Sequence, residues 1–240
     1  FELGRVFFKD ASVVESDTTV KGFYQPMRVA GLAYGAASQQ QWGVADTKVD
    51  FYDIKGDVEA LLAPFTPVFE TAEHPAMHPG RCARVVVNGK AIGFVGELHP
   101  KWRQSWDLAQ APVLFELELD AVLAREVPVF QAVSKHQAVE RDVAVVVKES
   151  VTHAQVMAAV AAGVPSGILR NAVLFDVFRP KKLKAGEDAA PGSLAQDEKS
   201  LAVRLTLGSE EASLTDVQID AAMQGAITAL QTQLEARLRG

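Results

Sequence analysis

Cysteine is almost absent from this sequence of 240 residues, in which Cys82 is the only one. A single cysteine excludes a fold held together by internal disulfides and fits a reducing compartment, so we expect a cytoplasmic protein. No apolar run is long enough to span a bilayer, which predicts a soluble chain. The chain starts at Phe1 rather than Met, with neither a basic leader nor a signal peptide, so we expect a piece of a longer protein.

Positive charge is also in short supply. The chain has 24 lysines and arginines against 30 acidic residues, a formal net charge of −6. This balance argues against a generally basic coat for nucleic acid but leaves room for a local patch. Four basic residues do cluster in the segment 179–184: Arg179, Lys181, Lys182 and Lys184. Because charge runs in loops are usually just solvated, an exposed hairpin tip is the more ordinary explanation of this segment.

The clearest local pattern in the first half is a β-hairpin. Apolar runs at 83–87 and 91–95 flank Asn88-Gly89, the dipeptide that most readily adopts the positive φ angles of a type I′ turn. Further strands are predicted at 1–8, 27–35, 67–71 and 113–119, and we expect the first of them to be central. Strands in succession with few helices between them predict a mostly antiparallel sheet with helices against one face, an α+β arrangement.

One helix in this half is well signalled, at residues 49–62. Asp50 is placed to cap its amino end, with Asp53 as the second member of the cap. An apolar stripe with helical spacing follows, formed by Ile54, Val58, Leu61, Leu62 and Phe65. We expect this stripe to pack on the sheet.

A domain boundary is predicted at 128–134, after which the pattern changes to β-α-β-β-α-β. The predicted strands are 139–147, 168–178, 199–207 and a short one within 236–239, and the predicted helices are 152–162 and 215–234. This order is the ferredoxin-like arrangement, in which both helices cover one sheet face and the other face stays available for binding.

Strand parity distributes the side chains of this second region between the two faces. Leu201, Val203, Leu205 and Leu207 are predicted to face the helices, which leaves Arg204 on the opposite face. Arg141 lies on the same side of its strand as three valines, so it is a weaker candidate for the open face. It would lie at a sheet end beside Asp142.

Residues typical of metal or thiol chemistry are present but badly spaced. His74, His78, Cys82 and His99 lie close in sequence, yet the prolines between them prevent the helical spacing that would align His74 with His78. We therefore favour loop hydrogen bonding for the histidines and a buried small hydrophobe for Cys82. We predict no catalytic residue and no metal ligand.

Several stretches closely resemble the C-terminal part of the bacterial phenylalanyl-tRNA synthetase β-subunit family. They are spread through the chain in order, at 1–7, 49–62, 78–81, 92–100, 113–117, 141–147, 174–178, 198–205 and 238–240. The resemblance implies that residues 1–127 are a class II synthetase-like core module without chemistry. It implies that residues 128–240 are a ferredoxin-fold anticodon-binding domain.

The resemblance also implies partners and cofactors. In this family the α subunit activates phenylalanine with ATP and Mg²⁺ and assembles with the β subunit as an (αβ)₂ heterotetramer that charges tRNA(Phe). No cofactor is implied for the present chain. Where such activation would need phosphate-binding arginines, residues 93–106 present Glu97, His99 and Pro100, and only Arg103 lies in the following helix.

From these inferences we predict an RNA-binding role for the second region. Arg204 and the basic residues Arg179, Lys181, Lys182 and Lys184 are expected to contact phosphates, with Phe178 available to stack on an unpaired base and Arg141 as a weaker candidate. Two other classes remain open at this point, an autonomous enzyme and a purely structural assembly scaffold without direct RNA contact.

Overall fold

The computed structural model of the protein describes residues 1–127, 129–130, 134–180 and 194–239. The chain forms two compact units, Phe1–Val129 and Phe130–Gly240, which we call the first and second domains. Each has its own antiparallel sheet and its own apolar core, so the chain has the predicted α+β composition. Within the described ranges, no helix combines the length and the apolar character needed to cross a membrane.

The first domain is built on a six-stranded antiparallel sheet. In spatial order its strands are β1 (Glu2–Arg5), β4 (Met27–Ala33), β8 (Val113–Glu118), β7 (Lys90–Leu98), β6 (Met77–Val87) and β5 (Val68–Thr71). A small separate sheet pairs β2 (Phe8–Lys9) with β3 (Phe23–Tyr24). The prediction of a central first strand is wrong. β1 lies at the sheet edge, because β8 occupies the other side of β4 and the chain leaves the sheet after Arg5.

The hairpin predicted from the sequence joins β6 to β7. Asn88 has φ of 50° and Gly89 has φ of 76°, as a type I′ turn requires. β6 extends beyond the predicted run and passes through Pro79, in a region where its register against β7 shifts between Met77 and Cys82. Proline is tolerated there because an irregular ladder does not need the N–H that proline lacks.

Helix α1 (Phe51–Leu62) covers one face of this sheet, and the short helix α3 (Leu119–Leu123) packs beside it. Another short helix, α2 (Pro100–Ser105), follows β7. The Asp50 carboxylate accepts from the N–H of Tyr52 at 2.7 Å, while the Asp53 carboxylate accepts from the N–H of Asp50 at 2.8 Å. The predicted apolar stripe reaches the core through three buried side chains, Ile54, Val58 and Leu62.

The second domain has the predicted ferredoxin-like order. Its strands are β9 (Val139–Lys148), β10 (Leu169–Phe178), β11 (Glu198–Leu207) and β12 (Arg237–Leu238), and its helices are α4 (His153–Gly163) and α5 (Asp216–Leu234). They form an antiparallel sheet in the order β10-β11-β9-β12. Thr152 and Thr215 begin the two helices with capping boxes that use Gln155 and Gln218.

Both helices pack on the same face of this sheet, which fixes the orientation of each strand residue. The buried residues of β11 are those predicted to face the helices: Leu201, Val203, Leu205 and Leu207. The helices approach each other closely at two glycines, since a β-carbon on Gly225 would lie 2.2 Å from the carbonyl oxygen of Gly163. This close packing leaves the opposite sheet face to Ala202, Arg204 and Thr206.

Candidate nucleic-acid interface

The second-domain sheet face turned away from α4 and α5 carries the candidate interface, and we call it the open face. It is formed by alternate residues in register: Ser200, Ala202 and Arg204 on β11, Val146, Ala144 and Asp142 on β9, and Phe178, Asp176 and Val173 on β10. A register shift beside Leu174 adds Phe175 to this face. Phe175 and Phe178 are 51% and 45% exposed. Exposed rings on a sheet are suited to stacking on unpaired bases.

Arg204 lies on the open face, but its charge has partners. Its guanidinium donates to both carboxylate oxygens of Asp142, at 2.8 and 2.9 Å, and lies 3.5 Å from the Glu140 carboxylate. It also covers the Phe175 ring, 5.2 Å from the ring centre. The bidentate bond lowers the pKa of Asp142 and raises the pKa of Arg204. A phosphate would therefore have to compete with two carboxylates for Arg204.

Arg179 is the described member of the predicted basic segment. Its guanidinium donates to both carboxylate oxygens of Glu149, with Nη2 to Oε1 at 2.9 Å, and this bond lowers the pKa of Glu149. Glu149 also lies 3.8 Å from the buried ammonium of Lys199. The other three predicted residues, Lys181, Lys182 and Lys184, lie outside the described residues.

Phe178 is paired with an arginine that the sequence reasoning missed. The Arg239 guanidinium lies 4.9 Å from the centre of the Phe178 ring and donates to the Ser200 hydroxyl at 3.3 Å. Parity along 236–239 places Arg237 on the same face as Arg239, and Arg237 donates to Glu198 at 2.7 Å. A two-residue strand has too little apolar alternation to reveal its face, which is why the sequence did not single out Arg239.

Arg141 belongs to the other side of the sheet. The strand register pairs Arg141 with Leu205, whose side chain is in the core. Val143, two residues further along the strand and on the same side, is also buried. Its guanidinium is exposed at the strand end and donates to the carbonyl oxygen of Glu140 at 3.0 Å. Arg141 and Arg204 therefore do not share a face.

A cleft in the first domain lies at the amino end of α1 and has a volume of about 590 Å³. Arg81 is the one basic residue in its lining, and its guanidinium donates to the Glu97 carboxylate at 2.5 Å. Arg103 is held elsewhere, donating to the carbonyl oxygens of Leu108 and Ala109 at 3.1 and 2.9 Å. Among the described residues that line this cleft, no cation is left without a carboxylate partner and free to bind the triphosphate of a nucleotide.

The histidines near the hairpin stabilise loops. Nδ1 of His74, His78 and His99 each accepts a hydrogen bond from the N–H two residues further along the chain, at 3.0 to 3.3 Å. Cys82 is buried as predicted, and burial raises the pKa of its thiol. A raised pKa disfavours the thiolate that a nucleophile or a metal ligand requires. In the described part of the chain, no three metal-binding side chains are grouped together.

Comparisons with known proteins identify the two domains separately. Residues 1–119 match the phenylalanyl tRNA synthetase beta chain CLM domain, and residues 134–239 match the ferredoxin-fold anticodon binding domain. The curated phenylalanine–tRNA ligase beta subunits of Cupriavidus pinatubonensis, Ralstonia nicotianae and Burkholderia lata are 47%, 48% and 45% identical to this chain. Each alignment covers 100% of this chain and 29% of the relative.

The two matched families account for both domains in chain order. The match of the second domain to a ferredoxin fold agrees with its strand order, β10-β11-β9-β12. The chain spans less than a third of the length of these curated relatives. It belongs to the phenylalanyl-tRNA synthetase β-chain family, as a CLM domain followed by a ferredoxin-fold anticodon-binding domain.

Proposed function

We propose that this chain is the C-terminal part of the β subunit of phenylalanine–tRNA ligase, the enzyme that uses ATP to attach phenylalanine to its tRNA. The second domain binds the anticodon region of that tRNA. One observation carries this proposal: the domain that matches an anticodon-binding family presents exposed rings beside arginines on its open face. Unpaired bases stack on rings and guanidinium planes of this kind.

The RNA contacts in this proposal are those predicted from the sequence. The basic segment with Arg179, Lys181, Lys182 and Lys184 approaches backbone phosphates, and Phe178 stacks on a base. Arg204 contributes from the open face, and Arg141, on the other side of the sheet, is a peripheral contact at the strand end. Recognition is by shape and charge, and the protein's part is to position the RNA.

Residues 1–127, which make up nearly all of the first domain, are proposed to be a class II synthetase-like module that has kept the fold without the chemistry. It provides a surface for the α subunit in a cytoplasmic (αβ)₂ heterotetramer, and the α subunit performs activation with ATP and Mg²⁺. Phosphoryl chemistry on ATP needs cations near the developing charge. Neutralisation of Arg81 by Glu97 supports the assignment of that step to another subunit.

The test is binding of labelled tRNA(Phe) by the 240-residue chain, measured by fluorescence anisotropy over a range of salt concentrations. We expect binding that survives excess non-cognate tRNA and weakens as salt rises, because phosphate contacts release counterions. Absence of binding would favour the assembly scaffold instead. In parallel, calorimetric titration with ATP and phenylalanine should release no heat of binding, and a saturable signal would indicate an autonomous enzyme.

A further inference from the structure

We propose that β10 is a self-association edge, along which the chain pairs with a second copy of itself in an antiparallel register centred on Val173. In this dimer the two four-stranded sheets continue as a single sheet, and a twofold axis passes between the two Val173 residues. The inference goes beyond the proposed function, because it concerns a contact between two copies of the chain and involves no RNA.

β10 is the long edge of the second-domain sheet. It has ten residues, whereas the strand at the opposite edge, β12, has two. Among the residues that the structure describes, the backbone of β10 bonds to β11 and to no third strand. An edge strand presents its outward N–H and C=O groups for pairing with another strand. A second copy of β10 is a partner of matching length.

The side chains of β10 provide little of the usual protection against such pairing. Natural edge strands are often kept apart by lysine or proline, and β10 contains neither. Val173, Phe175 and Val177 are instead 47%, 51% and 40% exposed. A second strand laid along β10 covers part of these apolar side chains, which favours association through the hydrophobic effect.

Two irregularities limit the length of the paired stretch. The register of β10 against β11 shifts at Arg170 and again at Phe175, and bulges of this kind bend a strand. Regular backbone pairing between two copies is therefore confined to about 171–174. Because so short a stretch gives a small interface, we expect a weak dimer whose population depends on protein concentration.

Charge favours the register centred on Val173. An antiparallel pair of identical strands has twofold symmetry, so every contact occurs twice. In this register Arg170 lies opposite Asp176 at both ends of the pair, and opposite charges across neighbouring strands are stabilising. Registers centred three residues earlier or later would place Arg170 or Asp176 opposite its own copy, where like charges repel.

Both members of this ion pair are available to a second copy. Arg170 donates through one nitrogen to the Glu210 carboxylate at 3.0 Å, and a guanidinium has five N–H donors in all. For Asp176, no cation of the described residues lies within ion-pair distance. The dimer therefore gives Asp176 a partner without separating Arg170 from Glu210.

The same register keeps each face of the sheet consistent. Ala172 comes opposite Leu174, and both side chains pack against the second-domain core. Leu169, which also packs against the core, comes opposite Val177, whose neighbour on β11 is the buried Leu201. A slip of one residue would set core-facing residues against open-face residues. Charge and side-chain direction thus favour the same register.

Cysteine cross-linking tests this register in the whole chain. Val173→Cys places a thiol opposite its own copy, within the separation that a disulfide can bridge. Asn171→Cys is the matched control on the same strand and face, and its two copies lie about 13 Å apart along the strands. The native Cys82 is buried. Under mild oxidation, Val173→Cys should form a covalent dimer on a non-reducing gel, and Asn171→Cys should not.

Sedimentation of the chain at increasing protein concentration tests the charges. Asp176→Arg or Arg170→Asp alone should weaken self-association about tenfold or more, because like charges then face each other at both ends. A mixture of these two variants should associate again, since each introduced charge meets an opposite one. Asp220→Arg makes the same change of charge on the exposed side of α5 and should leave self-association unchanged.

The thermal midpoint of each variant checks its folding. Val173→Lys supplies a second test should Arg170→Asp unfold, because it sets two ammonium groups face to face and should weaken the dimer. An unchanged chain that stays monomeric, or cross-linking of Asn171→Cys equal to that of Val173→Cys, would overturn the proposal. If Arg170→Asp associates with Asp220→Arg as well as with Asp176→Arg, general charge attraction is responsible and the β10 pairing is refuted. The binding of tRNA is measured separately, so failure of this proposal leaves the proposed function standing.

Discussion

The two domains are both antiparallel sheets in which most of the arginines named above bind carboxylates, yet one arginine of the second domain has a different neighbour. In the first domain, Arg81 has a side chain that is 59% exposed and is still engaged by Glu97, and Arg84 is likewise engaged by Glu70 at 2.6 Å. In the second domain, Arg239 is exposed, stacked on a ring and without a carboxylate among the described residues. Exposure alone therefore does not separate these two arginines, whereas the group beside each guanidinium does.

The same contrast concerns what an arginine contributes to a sheet when it binds a carboxylate and when it stacks on a ring. An ion pair between neighbouring strands helps to hold the strands in register, and it leaves little net charge for a ligand. A ring under a guanidinium fixes the plane of the arginine and leaves its charge in place. By this criterion, we propose that the cleft near Arg81 has a structural role and that the open face near Arg239 has a binding role.

The largest predicted effect compares one interior helical glycine from each domain. Gly225→Ala in α5 should lower the free energy of unfolding of the second domain by about 1–3 kcal/mol, because its β-carbon would overlap the carbonyl oxygen of Gly163. Gly56→Ala in α1 should instead stabilise the first domain by about 0.5–1 kcal/mol, since its β-carbon would meet no atom within 4 Å. Urea unfolding followed by circular dichroism measures both changes.

Tryptophan fluorescence separates the domains in that experiment. The chain has three tryptophans, Trp42, Trp102 and Trp106, and all belong to the first domain. Gly56→Ala should therefore move the fluorescence transition, and Gly225→Ala should move only the dichroism transition. Equal displacement of both signals by Gly225→Ala would contradict independent cores.

The fold was largely predictable from the sequence because its strongest signals are local. Asn88-Gly89 predicted the hairpin turn, and strand parity predicted which residues of β11 enter the core. The edge position of β1 was not predictable in this way, since it depends on which distant strands pair with β4. Local patterns specify elements, while the order of strands in a sheet depends on long-range pairing.

The candidate site was less predictable than the fold for the same reason. Parity placed Arg204 on the open face, but its neutralisation by Asp142 depends on the register of two strands 62 residues apart. Arg239 has a partner ring on β10 and a partner hydroxyl on β11, both remote in sequence. Which charges remain available to a ligand is therefore a property of the assembled sheet.

An intermediate effect is predicted for the basic segment. Lys181→Glu combined with Lys182→Glu should weaken binding of tRNA(Phe) by roughly tenfold or more, because two charges that attract phosphates become repulsive. The thermal unfolding midpoint should stay unchanged. Anisotropy titrations at low and high salt measure the loss, which should shrink as salt rises. Equal affinity of the double variant and the unchanged chain would remove this segment from the RNA site.

The smallest predicted effect releases one paired arginine in each domain. Asp142→Asn should strengthen RNA binding about two- to fivefold and steepen its salt dependence, because Arg204 loses a carboxylate that occupies its guanidinium. Glu97→Gln frees Arg81 in the first-domain cleft by the same change of charge, and RNA affinity should stay within about twofold. The two substitutions are matched, since each exchanges a carboxylate for the amide of the same shape.

A gain in RNA affinity from Glu97→Gln equal to that from Asp142→Asn would mean that net charge alone governs binding, and the distinction between the two domains would fail. A gain confined to Asp142→Asn would tie binding to the open face, because only there does the released guanidinium lie over an exposed ring.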